Sequence, residues 1–208
     1  MDGVAAGPNV VLVASARRWW SVQLAACIVG CMLVLVAWSA PSPHEEGGPA
    51  LAAQRIKAAF LYKFLSYVEW PASAIADDAA PIVIGVIGAD DIADELRAIV
   101  AGRTLNRHPI EVRTLDGAQP LPATLRVLFV GRDDPALLAR LAPQAQRQAI
   151  LLVTDFTDGL DRGSVINLVL RDNHVRFEVS LDAAQRSGLK VSSRMLAVAL
   201  AVHPPISP

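Results

Sequence analysis

Near the end of the chain an almost unbroken apolar run, Val165-Ile166-Asn167-Leu168-Val169-Leu170, is followed after a short polar stretch by strict alternation. In that second segment Val175, Phe177 and Val179 alternate with Arg176, Glu178 and Ser180. A near-continuous apolar run suits a strand buried on both faces, whereas a period of two suits a strand with one wet face. Between them stands Arg171-Asp172-Asn173-His174. Asp and Asn both tolerate left-handed backbone angles, so this is a tight turn joining an antiparallel pair. The chain must therefore build a sheet that is covered on both sides and ends in a hairpin.

The segments upstream complete that sheet. Ile82 to Ile87, Ile110 to Leu115, Arg126 to Val130 and Ile150 to Thr154 read as strands. Helices are expected from Leu51 to Tyr67, from Asp90-Asp91 through Val100, and from Pro135 to Gln148. Ile56, Phe60 and Phe64 form the apolar stripe of the first helix, and Pro71 follows its end. Asp90 serves as the cap of the second. Arg103 to Pro109 and Phe156 to Gly163 are loops. A short helix from Ala183 to Ser187 stops at Gly188, and another follows. Strands alternating with helices predict an α/β fold: one three-layer domain with a mixed, mostly parallel sheet covered by helices, ending in a β-hairpin and short helices.

Before the domain lies a hydrophobic N-terminal helix, Trp19 to Trp38, without a charge and preceded by Arg17 and Arg18. A signal-peptide core has about 7–15 apolar residues and a spanning helix about 20, so a cleaved signal and a retained anchor both fit. Ala37-Trp38-Ser39 offers small residues for a signal peptidase, while Trp19, Trp20 and Trp38 suit an interfacial belt. Either way the arginines stay in the cytoplasm and the domain is exported. Ile28-Val29-Gly30-Cys31 resembles a lipoprotein box, but the chain stays apolar after Cys31 instead of turning polar. Residues 1–40 are thus an export signal or membrane anchor, 41–50 a Pro- and Gly-rich linker, 51–202 the domain and 203–208 a tail.

Charge and composition exclude several functions. The chain carries 19 Lys+Arg and 20 Asp+Glu, of which Asp2, Arg17, Arg18, Glu45 and Glu46 precede the domain. The domain is formally neutral, which argues against nucleic acid as a partner. Cys27 and Cys31 are the two cysteines and lie in the hydrophobic segment, so the domain depends on its core and not on disulfides. His44, His108, His174 and His203 lack the spacing of a metal set. Asp155, Asp158 and Asp161 fail the calcium-loop spacing and read as turn residues. Ser164, Ser192 and Ser193 have no nucleophile-elbow context. Gly85 to Asp91 stands where a phosphate loop would be but lacks the third glycine and the lysine. No enzyme and no cofactor are expected.

Three blocks of sequence resemble the YfiR family. They are Ile56 to Pro71, ending Glu69-Trp70-Pro71; the strand Ile82 to Gly88; and the long C-terminal series from Ile166 to Leu196, which includes Phe177-Glu178-Val179-Ser180-Leu181. The resemblance implies a small periplasmic protein that restrains an inner-membrane diguanylate cyclase, with the cyclase's periplasmic sensor domain as partner. It leaves room for a homodimer, and for contact with the inner membrane if residues 19–38 are retained. Some members carry disulfides, which this domain cannot form. Glu178 is the first candidate for partner binding, with Arg176, Asp182 and Lys190 as further polar contacts and Ala184 and Leu189 as apolar ones. The alternative is a small periplasmic ligand-binding sensor reporting to a histidine kinase or outer-membrane receptor system, its ligand held at Gly85 to Asp91.

Overall fold

Phe60, Phe64 and Phe177 meet at the centre of one half of the domain, with ring centroids 5.4–5.8 Å apart. The computed structural model describes residues 48–75 and 80–205. The predicted export segment, most of the linker and the last three residues lie outside the described residues.

The first helix, α1, spans Pro49–Phe64. Proline fits the first helical position, where its missing N–H would be unpaired in any case, so the helix starts inside the predicted linker. It buries Ala58, Leu61 and Phe64, whereas Ile56 is 45% exposed. The stripe Ile56–Phe60–Phe64 therefore runs from the exposed surface at Ile56 into the core at Phe64. After Phe64 the chain turns, and Val68–Glu69 forms β1, antiparallel to β9 (Lys190–Val191) in a separate two-stranded sheet. The helix is shorter than predicted because Tyr67 supplies its carbonyl to the Ser192 N–H at 2.8 Å, a pairing between ends of the chain.

The main sheet has eight strands in the order β10-β8-β7-β6-β5-β2-β4-β3. These are β2 (Ile82–Ile87), β3 (Thr104–Leu105), β4 (His108–Thr114), β5 (Leu125–Val130), β6 (Leu151–Thr154), β7 (Ile166–Arg171), β8 (His174–Ser180) and β10 (Ala201–His203). Strands β4, β2, β5, β6 and β7 run parallel, and the β7–β8 and β3–β4 pairs are antiparallel. The sheet is mixed and mostly parallel, as predicted. Two short strands of this sheet escaped prediction, as did β1 and β9. Residues expected to loop from Arg103 form the β3–β4 hairpin, turned by Asn106 and Arg107 at φ 50° and 75°. The expected tail begins inside β10, which adds parallel to β8.

Helices cover both faces. On one, α1, α2 (Asp90–Val100), α4 (Leu181–Arg186) and α5 (Ser193–Leu196) close over Ile84, Val127, Phe129, Val153, Leu168 and Phe177. On the other, α3 (Pro135–Arg147) packs Leu138 and Leu141 against Leu128, Val130 and Leu152. Asp134 caps α3 by accepting from the Leu137 N–H at 3.0 Å. Ala89, not Asp90, occupies the cap of α2, and Asp90 and Asp91 serve in its first turn, where negative charge suits the helix dipole.

Candidate functional site

The predicted alternation in β8 holds as far as Val179, whereas Ser180, expected on the wet face, is buried and caps α4 by accepting from the Ala183 N–H. Val175, Phe177 and Val179 are buried at 6%, 3% and 0% exposure, and Arg176 and Glu178 point to the opposite face. Asp172 and Asn173 turn the hairpin with φ of 50° and 60°. In β7 only Ile166 to Leu168 is buried, and Leu170 is 63% exposed. Strand β8 is also not an edge. Glu178 lies in register with Asn167 of β7 and Ala201 of β10, which leaves it half-buried, while Arg176 is exposed.

The other predicted contact residues fall elsewhere. Asp182 is in the first turn of α4 and accepts from the Arg186 guanidinium one turn on. Lys190 is exposed on β9, opposite Glu69 of β1. Ala184 and Leu189 are corrected: at 2% and 4% exposure they belong to the core and present no side chain to a partner. The Leu189 N–H donates to the Ala184 carbonyl at 2.9 Å across Gly188, whose φ is +66°. That is a left-handed helix stop with its apolar contact folded inward. Arg176 and Glu178 share a sheet face, but no hydrogen bond or ion pair among the described residues joins them to Asp182 or Lys190.

A groove of about 340 Å³ was not foreseen. Phe60, Phe64, Phe177 and Met195 form its floor, Tyr67 and Val198 its apolar lip, and Lys63 and Arg194 add positive charge. Val198 is 66% exposed and Tyr67 37%. A second apolar depression lies further along α1, lined by Ala53, Ile56, Leu170 and Val175. Ile56 and Phe60 are one turn apart, so the two share the outer stripe of α1. Periodicity marks that stripe as apolar but cannot say that the four-residue helix α5 leaves its edge uncovered.

Other candidates resolve as structure. Thr154 donates to Asn167 Oδ1 at 2.8 Å and shares a 3.0 Å hydrogen bond with Ser164 Oγ, all three buried. Ser164 at 0% exposure is closed to any substrate. Asp155 pairs with Lys57 at 2.7 Å, tying the end of β6 to α1. His108 Nδ1 lies 2.9 Å from the Ala80 carbonyl oxygen. Ser192 caps α5 by accepting from the Arg194 N–H. Among the described residues no group of three His, Cys, Asp or Glu side chains could hold a metal ion.

The Gly85 to Asp91 turn sits where strand order reverses, since β2 pairs with β4 on one side and β5 on the other. Ligands favour that crevice in open α/β sheets. In this chain the loops after β2 and β5 pack closely together there. A Cβ on Gly88 would lie 2.8 Å from Arg132 Cβ, and one on Gly131 would lie 2.8 Å from Ala89 Cβ.

The fold and its open surface define a small α/β domain that presents an aromatic groove beside its C-terminal hairpin. A family model described as YfiR/HmsC-like matches residues 54–200. The chain belongs to the YfiR/HmsC-like family. Among solved structures it is similar to a conserved domain protein from Vibrio cholerae O1 biovar El Tor, at 12% identity and TM-score 0.49, covering 72% of this chain and 60% of that one. It is also similar to the ABC domain in complex with L-Trp from Streptococcus pneumoniae, at 10% identity and TM-score 0.47, with the same two coverages of 72% and 60%. The chain thus spans 60% of the length of each of these structures.

Proposed function

We propose that this chain is an exported, periplasmic regulatory protein that binds the sensor domain of an inner-membrane diguanylate cyclase and holds the enzyme inactive. Family membership supports the role, and the groove between α1, β8 and α5 supports action by surface contact. Its floor is aromatic and its rim carries Lys63 and Arg194, which suits an apolar anchor flanked by acidic residues. Large apolar side chains left open on a small domain are a mark of such a surface. Restraint would be conformational: the protein binds the inactive arrangement of the sensor domain more tightly and shifts the cyclase toward it. Retention of residues 19–38 as an anchor would raise the local concentration of the two partners. Among the described residues no helix is long and apolar enough to cross a membrane.

The test pairs two surface variants with the cognate cyclase. Val198→Asp alters the groove lip, and Glu178→Lys reverses the candidate charge on the opposite sheet face. Both proteins should fold, and loss of binding in a pulldown from solubilised membranes, with a rise in cellular cyclic-di-GMP, would assign the surface. Full repression by both would overturn the reading. A change in sedimentation of the purified protein, without effect on repression, would assign the groove to a homodimer instead.

A further inference from the structure

At the amino-terminal ends of β5 and β6 lies a cavity of about 530 Å³, at the opposite ends of the strands from the Gly85 to Asp91 turn. Its lining includes Arg126 of β5, Arg147 at the end of α3 and Arg186 at the end of α4. Gln146, Gln148 and Ser73 add polar groups, Leu121 and Pro71 supply apolar wall, and among the described residues no carboxylate lines it.

Arg126 is the fixed point. Its Nη1 donates to the carbonyl oxygens of Ala123 at 3.0 Å and Leu125 at 2.6 Å, and its Nη2 donates to that of Ala74. The guanidinium is thereby clamped between the start of β5 and the turn Ala72–Ile75. It has no carboxylate partner among the described residues, and burial holds its pKa below the ordinary arginine value. Arg147 is exposed and forms no ion pair among the described residues. Arg186 is held by Asp182 on its own helix, and Asp182 does not line the cavity. A partly covered cation held by carbonyl dipoles, with further cations beside it, favours an incoming anion, and arginine forks match carboxylate geometry. The volume falls within the range of about 300–1,000 Å³ typical of small-molecule sites.

The geometry points to this cavity as a binding site for a small organic carboxylate, its charge met by Arg126, Arg147 and Arg186 and its apolar body by Leu121 and Pro71. The site does not depend on the cyclase reading. Asp77 and Asp78 follow the turn in sequence.

Isothermal titration of the whole exported protein with benzoate and with citrate, at matched ionic strength and with inorganic phosphate as control, tests it. Saturable binding with a Kd near or below about 1 mM is expected for at least one carboxylate. Arg147→Gln and Arg186→Gln should each weaken it about tenfold, and Arg140→Gln, exposed on the same helix but outside the cavity, should not. These variants avoid Arg126, whose loss would release backbone carbonyls. Absence of saturable binding overturns the proposal, as does binding unchanged in the Arg147→Gln, Arg186→Gln double variant. Binding seen only after Asp77→Asn and Asp78→Asn also overturns it, by identifying those aspartates as the occupants.

Discussion

Truncating Phe177 tests whether the groove floor is part of the core. The ring is 3% exposed and packs edge-on against Phe60 at 5.5 Å and Phe64 at 5.4 Å. Phenylalanine to alanine in a closed core costs about 3–5 kcal/mol, and each aromatic pair adds about 0.5–1.5 kcal/mol beyond area burial. One side of this ring borders the open groove, so water or Val198 can enter part of the vacated space. That relief places Phe177→Ala at about 3–4 kcal/mol, the lower part of the closed-core range. With a urea slope of about 2 kcal/mol/M the unfolding midpoint should fall by about 1.5–2 M with the slope unchanged. Phe177→Leu should lose less than half as much, and Arg176→Ala on the opposite face should stay within about 0.5 kcal/mol. A loss below about 1 kcal/mol for Phe177→Ala would refute the packing argument, since the ring would then contribute no more than an exposed residue does.

Gly159→Ala should cost roughly 2–4 kcal/mol in the same assay, because its Cβ would lie 2.1 Å from Thr154 Oγ1 and 2.9 Å from Asn167 Oδ1 and would break a buried polar cluster. Gly48→Ala, with no atom of the described residues within 4 Å, should be nearly neutral by comparison. Asp155→Ala should cost about 1–2 kcal/mol, because its 2.7 Å pair with Lys57 is largely covered, at 13% and 20% side-chain exposure. A double-mutant cycle with Lys57→Met should give a coupling of about 1 kcal/mol, and a coupling near zero would return the pair to an ordinary surface contact.

Period-two alternation in β8, the Asp172-Asn173 turn and the long helix α3 were legible in the sequence because each is settled within a few residues. Pattern alone puts Val175, Phe177 and Val179 on one face and Arg176 and Glu178 on the other. Family membership was equally legible, since the motifs around Glu69-Trp70-Pro71 and Phe177 to Leu181 are local strings. The β1–β9 pair, the β10 addition and the β3–β4 hairpin were not. The first joins residues more than a hundred positions apart, and strands of two or three residues are too short to show a period. The same limit explains Ala184 and Leu189. Beside Gly188 they look like a surface turn, and only the inward fold of the left-handed helix stop buries them. Local order determined which residues prefer the core. Long-range packing decided which part of that apolar stripe stays uncovered, and it brought Arg126, Arg147 and Arg186 to one cavity from three separate elements.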